Sequence, residues 1–149
     1  MSYTQIFIHA VIRTYKSEHT LPTDERREFL YRYVWGIVKN KKGCLYRINS
    51  MEEHVHLLFT LPPTIAIADF MRELKAGTSK ALKSAAGFEQ FKAWSEGYAA
   101  LTYSLRDKDM LVKYIINQQE HHKKMNFFDE FRGLIKEMGL EFDERDWER

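Results

Sequence analysis

The sequence has a single cysteine, Cys44, in 149 residues, and no apolar run approaches the length of a membrane span. A single cysteine excludes an intramolecular disulfide, so we expect a protein of the reducing cytoplasm that has no membrane partner. Tyr3 already lies in strand-like sequence, and we therefore expect no signal peptide. Repeats, low-complexity tracts and interdomain linkers are also missing, which predicts one domain over residues 1–149.

Charge is nearly balanced overall but is unevenly distributed. The net charge is +2, and it divides into +6 for residues 1–128 and −4 for residues 129–149. A basic body with an acidic tail is compatible with a nucleic-acid partner, but it is also common in proteins that have none. The charge pattern therefore permits DNA binding without establishing it.

Apolar periodicity predicts four strands and four helices. Alternating residues indicate strands at residues 3–13, 44–49, 54–61 and 98–105. Helical spacing and capping residues indicate helices from about residue 23 to a stop at Gly43, from 67 to about 86, from 108 to 124, and from 126 to 139. This order predicts an α+β fold of the ferredoxin-like (split β-α-β) kind: an antiparallel sheet with helices on one face, followed by two C-terminal helices.

Two predicted elements have sides whose exposure can be inferred from residue type. The second side of the first strand carries Gln5, His9 and Arg13, which predicts a partly solvated face. The fourth helix has an expected buried side made of Phe128, Phe131, Leu134, Ile135 and Met138. The acidic residues 140–149 are expected to form a loosely held tail, in which Phe142 and Trp147 are the candidates for docking.

Two histidines stand one residue apart in the third predicted strand, Glu53-His54-Val55-His56-Leu57-Leu58-Phe59. Successive side chains of a strand point to opposite faces, so His54 and His56 project from one side and the apolar residues from the other. Two imidazoles held in this way suit a metal site or a catalytic site. Six histidines in a chain of this length also fall two apart by chance, and the pair alone is a weak motif.

A second group of polar residues lies on the third predicted helix. Tyr114 and Gln118 are four residues apart and therefore neighbours on one helical face, and His121 and His122 lie one turn further along. Such a stripe faces solvent, a partner or a site. Solvent is the default for a stripe of this kind.

The two groups together resemble a known family. The pairing of Glu53-His54-Val55-His56-Leu57-Leu58 with Tyr114-Ile115-Ile116-Asn117-Gln118 is similar to the HUH single-strand tyrosine transposases, the small TnpA-like enzymes of insertion sequences, to which the REP-associated tyrosine transposases are related. The likeness extends to the strand opening at Tyr3, the continuation to Pro62 and the segment Trp94-Ser95-Glu96-Gly97-Tyr98. It implies a single HUH domain whose core and tyrosine helix occupy residues 1–125.

The resemblance implies a role for each matched residue. His54 and His56 correspond to two protein ligands of a divalent metal, Mg²⁺ or Mn²⁺, and Gln118 corresponds to the third. Tyr114 corresponds to the nucleophile that attacks a DNA phosphate, forms a 5′-phosphotyrosine link and frees a 3′-hydroxyl. His121 and His122 are candidates for contacting phosphate or supplementing the metal shell. The family also implies a homodimer, in which the tyrosine helix often completes the partner's site in trans.

Basic and aromatic side chains are the expected contacts to single-stranded DNA with hairpins. Trp94 and Tyr98 are candidates for stacking on bases. The candidates for contacting the DNA backbone are Arg13, Arg72, Lys75, Lys80 and Lys83. A solvated helix face explains the basic residues of the second helix equally well.

The sequence is therefore interpreted as that of a metal-dependent DNA strand transferase, a transposase acting on hairpin-marked ends of single-stranded DNA. One alternative is a host-domesticated relative that applies the same chemistry to chromosomal repeats. Another is a non-catalytic dimer that retains the fold and binds single-stranded or hairpin DNA. A replication initiator or relaxase shares the two-histidine motif, but those proteins are generally larger and arrange the tyrosine differently.

Overall fold

A four-stranded antiparallel sheet organises the fold in the computed structural model, which describes residues 1–147. The strands, in the sheet order β2-β3-β1-β4, are β1 (Phe7–Arg13), β2 (Cys44–Ser50), β3 (His54–Thr60) and β4 (Ala99–Tyr103). The helices are α1 (Asp24–Asn40), α2 (Ile67–Ser84), α3 (Lys108–Ile116), α4 (Gln118–His122), α5 (Phe127–Glu137) and α6 (Glu144–Trp147). None of the helices in this part of the chain is both long and apolar enough to cross a membrane.

The predicted α+β fold with an antiparallel ferredoxin-like sheet is confirmed. The first strand is shorter than predicted, since β1 begins at Phe7 rather than Tyr3, and Ile6 is 42% exposed. The tail is docked rather than loosely held, because Trp147 at the end of the short helix α6 packs against Phe127 and Phe131 of α5. Residues 148 and 149 of the predicted tail lie outside the described residues.

The two faces of the sheet bury different kinds of residue. Alternate residues of β1 and β3 on one face pack against α1 and α2 in the main apolar core, and they include Ile8, Ala10, Ile12, Val55, Leu57 and Phe59. The opposite face carries His9 and Val11 on β1, and His54 and His56 on β3, beneath α3, α4 and α5. The period of two in the strands therefore sends every histidine of the sheet to the side covered by the C-terminal helices.

The third predicted helix is interrupted at Asn117 (φ −89°, ψ 20°), which separates α3 from α4. Asn49, near the end of β2, donates hydrogen bonds from its side-chain amide to the carbonyl oxygens of Ile115 (2.8 Å) and Ile116 (3.2 Å). These carbonyls lie at the end of α3, where intrahelical partners are missing. Asn49 thus ties the end of α3 to the histidine-bearing face of the sheet.

Candidate active site

Each histidine of β3 is held by a contact to its Nδ1 atom. His54 Nδ1 lies 2.5 Å from Oε1 of Glu53, and His56 Nδ1 lies 2.8 Å from Nε2 of His9. Both imidazoles are fully buried. With Nδ1 occupied, both rings direct Nε2 toward the helices above the sheet, as metal-binding histidines do when a second group fixes their orientation.

His9 was not predicted as a site residue, because the alternation of β1 indicated a partly solvated face. The structure buries His9 completely beneath α3, and its Nδ1 atom has no hydrogen-bond partner among the described residues. Burial lowers the pKa of His9 to about 3, and the neighbouring His56 contributes to the lowering. Burial likewise lowers the pKa of His56 to about 4, although the carboxylate of Glu130 opposes the shift. Both rings are therefore neutral at pH 7.

Gln118, the first residue of α4, lies above His54. Its Oε1 atom is 3.2 Å from Nε2 of His54, and its amide nitrogen lies 3.4 Å from the carbonyl oxygen of Tyr114. Gln118 is fully buried. The break at Asn117 sets this side chain over β3, so one chain brings His54, His56 and Gln118 together.

Tyr114, near the end of α3, approaches the site from beside His56. Its ring meets the His56 ring edge-on, with centroids 5.6 Å apart, and its hydroxyl donates a short hydrogen bond to Oε1 of Glu130. Burial raises the pKa of Tyr114 well above its usual range, and the charge of Glu130 raises it further. In this arrangement the hydroxyl is held as a neutral phenol.

Glu130 of α5 is a second side chain of this site, besides His9, that the sequence did not predict. It is 3% exposed, and its Oε1 lies 3.0 Å from Nε2 of His56 while its Oε2 lies 2.6 Å from Nε2 of His122. Burial alone would raise the pKa of Glu130, but the contacts with His122, His56 and Tyr114 outweigh burial and hold the pKa far below its usual range. Glu130 is therefore a carboxylate at the centre of the site.

The position of Glu130 corrects the predicted orientation of the C-terminal helix. The predicted buried side of Phe128, Phe131, Leu134, Ile135 and Met138 is only partly buried, and the fully buried residues of α5 are Phe127 and Glu130. Phe127 stacks on His54, with ring centroids 3.7 Å apart and planes inclined by 3°. This contact turns the face containing residues 127 and 130 toward the sheet.

The two further histidines lie at the edge of the same group. His122 is largely buried and close to His54, with ring centroids 4.7 Å apart. Burial opposes protonation of His122, but the adjacent Glu130 raises its pKa overall. His121 packs against Tyr114 and its Nε2 lies 3.8 Å from Oε2 of Glu130. Among the described residues, the ligand atoms of His54, His122 and Glu130 lie close enough together to hold one metal ion.

The donor atoms fit a divalent cation. Nε2 of His54 and Oε1 of Gln118 lie 3.2 Å apart on the side of the His54 ring opposite Glu53. An imidazole nitrogen and an amide oxygen can both act as ligands of a divalent cation. Nε2 of His56 and Oε2 of Glu130 lie in the same cluster and are buried without a hydrogen-bond partner within residues 1–147. His54, His56 and Gln118 are therefore able to hold the metal.

Of the predicted DNA-contacting residues, Arg13 lies beside the site as the β1 partner of His54, and the other four lie away from it. Arg13 is 8% exposed and donates to the carbonyl oxygens of Asp146 and Trp147, while its guanidinium lies over the Trp147 ring. The other four lie on α2, across the sheet from the histidines: Arg72, Lys75, Lys80 and Lys83. Trp94 is buried and donates to Oγ1 of Thr78, so it is not available for stacking on bases.

The buried neutral state of His9 predicts a loss of stability in mild acid. The unfolded chain binds a proton at His9 below pH 6.5, whereas the folded protein resists doing so until about pH 3. The contribution of neutral His9 to the free energy of unfolding is therefore complete above pH 6.5, and it is lost progressively as the pH falls from 6.5 to about 3. Between pH 7 and pH 5 we expect His9 to account for about 2 kcal/mol of the lost stability, measured by urea unfolding in EDTA as the difference between the wild type and His9→Gln. His9→Gln should unfold with a correspondingly weaker pH dependence; an unchanged dependence would refute this assignment.

Comparison with known proteins points to one family. A family model described as IS200-like transposase matches residues 2–118, a range that contains Tyr114 and Gln118 but not α5. Among curated proteins, the ISDra2 transposase TnpA of Deinococcus radiodurans is 32% identical over 77 residues. That alignment covers 47% of this chain and 54% of the relative, so the similarity spans about half of the relative's length.

Two solved structures resemble this chain, each with a TM-score of 0.58. One is a protein of Deinococcus radiodurans described as a transposase; it is 25% identical, and the match covers 79% of this chain and 95% of that one. The other is a REP-associated tyrosine transposase bound to a REP hairpin, which is 16% identical, with 82% of this chain and 74% of that chain covered. At 16% identity, the similarity to the REP-associated transposase indicates the fold alone.

Proposed function

Because this chain belongs to the family of IS200-like transposases, we propose that it cuts and rejoins single-stranded DNA at hairpin-marked ends through a covalent link to Tyr114. The observation that carries the proposal is the convergence of Tyr114 with His54, His56 and Gln118 at one buried site. The hairpin bound by the REP-associated relative supports hairpin DNA as the substrate class.

The proposed reaction is a transesterification. The Tyr114 oxygen attacks the phosphorus and forms a phosphotyrosine, while the bond from phosphorus to the 3′-oxygen of the preceding nucleotide breaks. The phenol gives up one proton and the departing 3′-oxygen gains one, so protons balance. Because the phosphotyrosine retains the free energy of the phosphodiester, a 3′-hydroxyl can reverse the step at a new junction without ATP.

The metal ligands proposed for this reaction are His54, His56 and Gln118. Two imidazoles and an amide oxygen add no negative charge, so they leave the cation's charge for the phosphate. When bound by these residues, a divalent ion would supply Lewis-acid chemistry to the phosphoryl group. Imidazole ligands make Mn²⁺ at least as suitable as Mg²⁺. Glu53 and His9 orient the two imidazoles through Nδ1.

Helix α5 controls access to the site. The three proposed ligands are fully buried, and Phe127 covers His54. A DNA phosphate must therefore displace α5, or at least Phe127 and Glu130, before it reaches Tyr114. Release of Glu130 also frees the Tyr114 hydroxyl from its hydrogen bond.

We further propose that Tyr114 acts in cis. The Tyr114 hydroxyl, the two histidines and Gln118 all come from one chain, and the contacts among them need no second subunit. The homodimer implied by the family stays a prediction, and in this proposal it has a role in pairing two DNA ends rather than in completing the site.

The reaction is expected to require both a single strand and a metal ion. We predict that hairpin-bearing single strands taken from the flanks of the gene are cut in Mn²⁺ or Mg²⁺, and that a protein–DNA adduct survives denaturing electrophoresis. EDTA, or annealing a complementary strand, should abolish both products. Binding of these hairpins without cleavage in any divalent metal would favour the non-catalytic alternative.

A further inference from the structure

Glu130 lies outside the part of the chain that the family model matches, yet its carboxylate sits among the proposed catalytic residues. A glutamate that is 3% exposed is costly to bury unless positive charges or donors surround it. Its two oxygens divide their contacts: Oε1 faces His56 and Tyr114, and Oε2 faces His122. The side chain is thus aimed at the same region as the proposed metal ligands.

The separations between donor atoms match those found around one metal ion. An octahedral ion with ligands at about 2.1 Å places neighbouring ligand atoms about 3 Å apart. Nε2 of His56 and Oε1 of Glu130 are 3.0 Å apart, and Nε2 of His54 and Oε1 of Gln118 are 3.2 Å apart. Glu130, His54 and His122 also form a group whose ligand atoms lie close enough together to hold one metal ion.

The contacts of the Glu130 carboxylate with His56 and His122 are short, but their angles do not fit hydrogen bonds. Nε2 of His56, Nε2 of His122 and Oε2 of Glu130 are buried and, in the part of the chain that the structure describes, have no partner that meets hydrogen-bond geometry, although they lie within 3.0 Å of the opposite group. Of these atoms, Nε2 of His56 and the carboxylate of Glu130 form a pair of donors that a divalent cation satisfies.

We propose that Glu130 is a further, anionic ligand of the divalent metal, supplied by α5 to the site formed by His54, His56 and Gln118. This inference rests on the proposed function for the metal site itself and adds a residue that the family motif does not contain. Through Glu130 the bound metal is tied to α5, and His122 positions the carboxylate from its Oε2 side. An anionic ligand raises the affinity for the cation in the absence of DNA.

The test is Mn²⁺ binding to the full chain without DNA, measured by the electron paramagnetic resonance signal of the free ion. We expect Glu130→Gln to weaken Mn²⁺ binding about tenfold or more, since it removes the single charged ligand of the set. Glu130→Asp keeps the charge and should fall between this variant and the wild type. Glu137→Gln makes the same substitution at an exposed position of α5 and should bind like the wild type.

A second readout separates binding from folding. The rise in Tm that Mn²⁺ causes, measured for each variant against its own Tm in EDTA, should be smaller for Glu130→Gln than for Glu137→Gln. Unchanged or tighter Mn²⁺ binding by Glu130→Gln would overturn the proposal, because Glu130 would then only neutralise His122. His56→Asn should lose binding in either case. If His56→Asn instead binds Mn²⁺ like the wild type, the metal site of the proposed function fails as well.

Discussion

Replacing Tyr114 with phenylalanine should abolish the covalent protein–DNA adduct and reduce strand cleavage by at least about a thousandfold, since the nucleophile is removed. Phenylalanine preserves the ring that packs against His9, His56 and His121. The substitution removes only the hydroxyl and its hydrogen bond to Glu130. Folding and Mn²⁺ binding should therefore persist while chemistry is lost. The measurement is denaturing electrophoresis of labelled single-stranded hairpins incubated with Mn²⁺.

Tyr98→Phe provides the matched control for this loss. Tyr98 is 41% exposed and lies outside the group formed by the histidines. Phenylalanine keeps the ring that is the candidate for stacking on bases, so removal of the hydroxyl alone should leave adduct formation unchanged. An adduct that still forms with Tyr114→Phe would show that another residue attacks the phosphate. Loss of the adduct in both variants would point to a general defect rather than to the nucleophile.

Mixing two inactive variants should fail to restore cleavage. In the cis arrangement, a Tyr114→Phe chain lacks its nucleophile and a His56→Asn chain lacks a metal ligand. A heterodimer of the two then contains no intact site, because each site draws Tyr114 and His56 from the same chain. We expect the mixture to retain no more than the background activity of the separate variants, measured with the same labelled hairpins.

The complementation experiment needs proof that subunits exchange. To show exchange, the wild type is mixed with a tagged Tyr114→Phe chain, and untagged chains should be recovered through the tag. Light scattering gives the mass of the assembly. Activity of the mixture well above that of either variant would mean that Tyr114 serves the partner's metal site. The contacts within this chain would then describe a resting arrangement rather than the active one.

The sheet and the histidine pair were predictable because a strand repeats every two residues. Alternation in β3 separates His54 and His56 from Val55 and Leu57 with no reference to the rest of the molecule. The start of β1 was harder to predict from the sequence, because Ile6 continues the alternation and yet lies outside the sheet. The β-propensity of a segment does not determine where the strands that pair with it end.

Glu130 was not predictable from the pattern of α5. A buried carboxylate among apolar residues looks like an ordinary polar position in a sequence, and its burial is stabilised by His56, His122 and Tyr114 from other elements. Phe127 also sets the rotation of the helix through a tertiary contact with His54. The one local signal was the spacing of three residues between Phe127 and Glu130, which puts them on one face.

His9 was missed for a related reason. Gln5 and Arg13, its neighbours on the predicted strand, indicated a partly solvated face. Only the docking of α3 and of the C-terminal residues shows that the face around His9 is covered. Arg13 donates to the carbonyl oxygen of Trp147 in α6, and its contact with DNA stays a prediction. Local patterns indicated the chemistry of both side chains but not their partners.

Mass spectrometry of the DNA-linked peptide tests the central claim most directly. The wild-type protein is incubated with a hairpin-bearing single strand and Mn²⁺, the adduct is digested with protease and nuclease, and the modified residue is identified by fragmentation. The proposed mechanism predicts a nucleotide attached through its 5′-phosphate to Tyr114, with an equal amount of DNA ending in a free 3′-hydroxyl. A nucleotide on any other residue, or cleavage that yields no attached nucleotide, would contradict it.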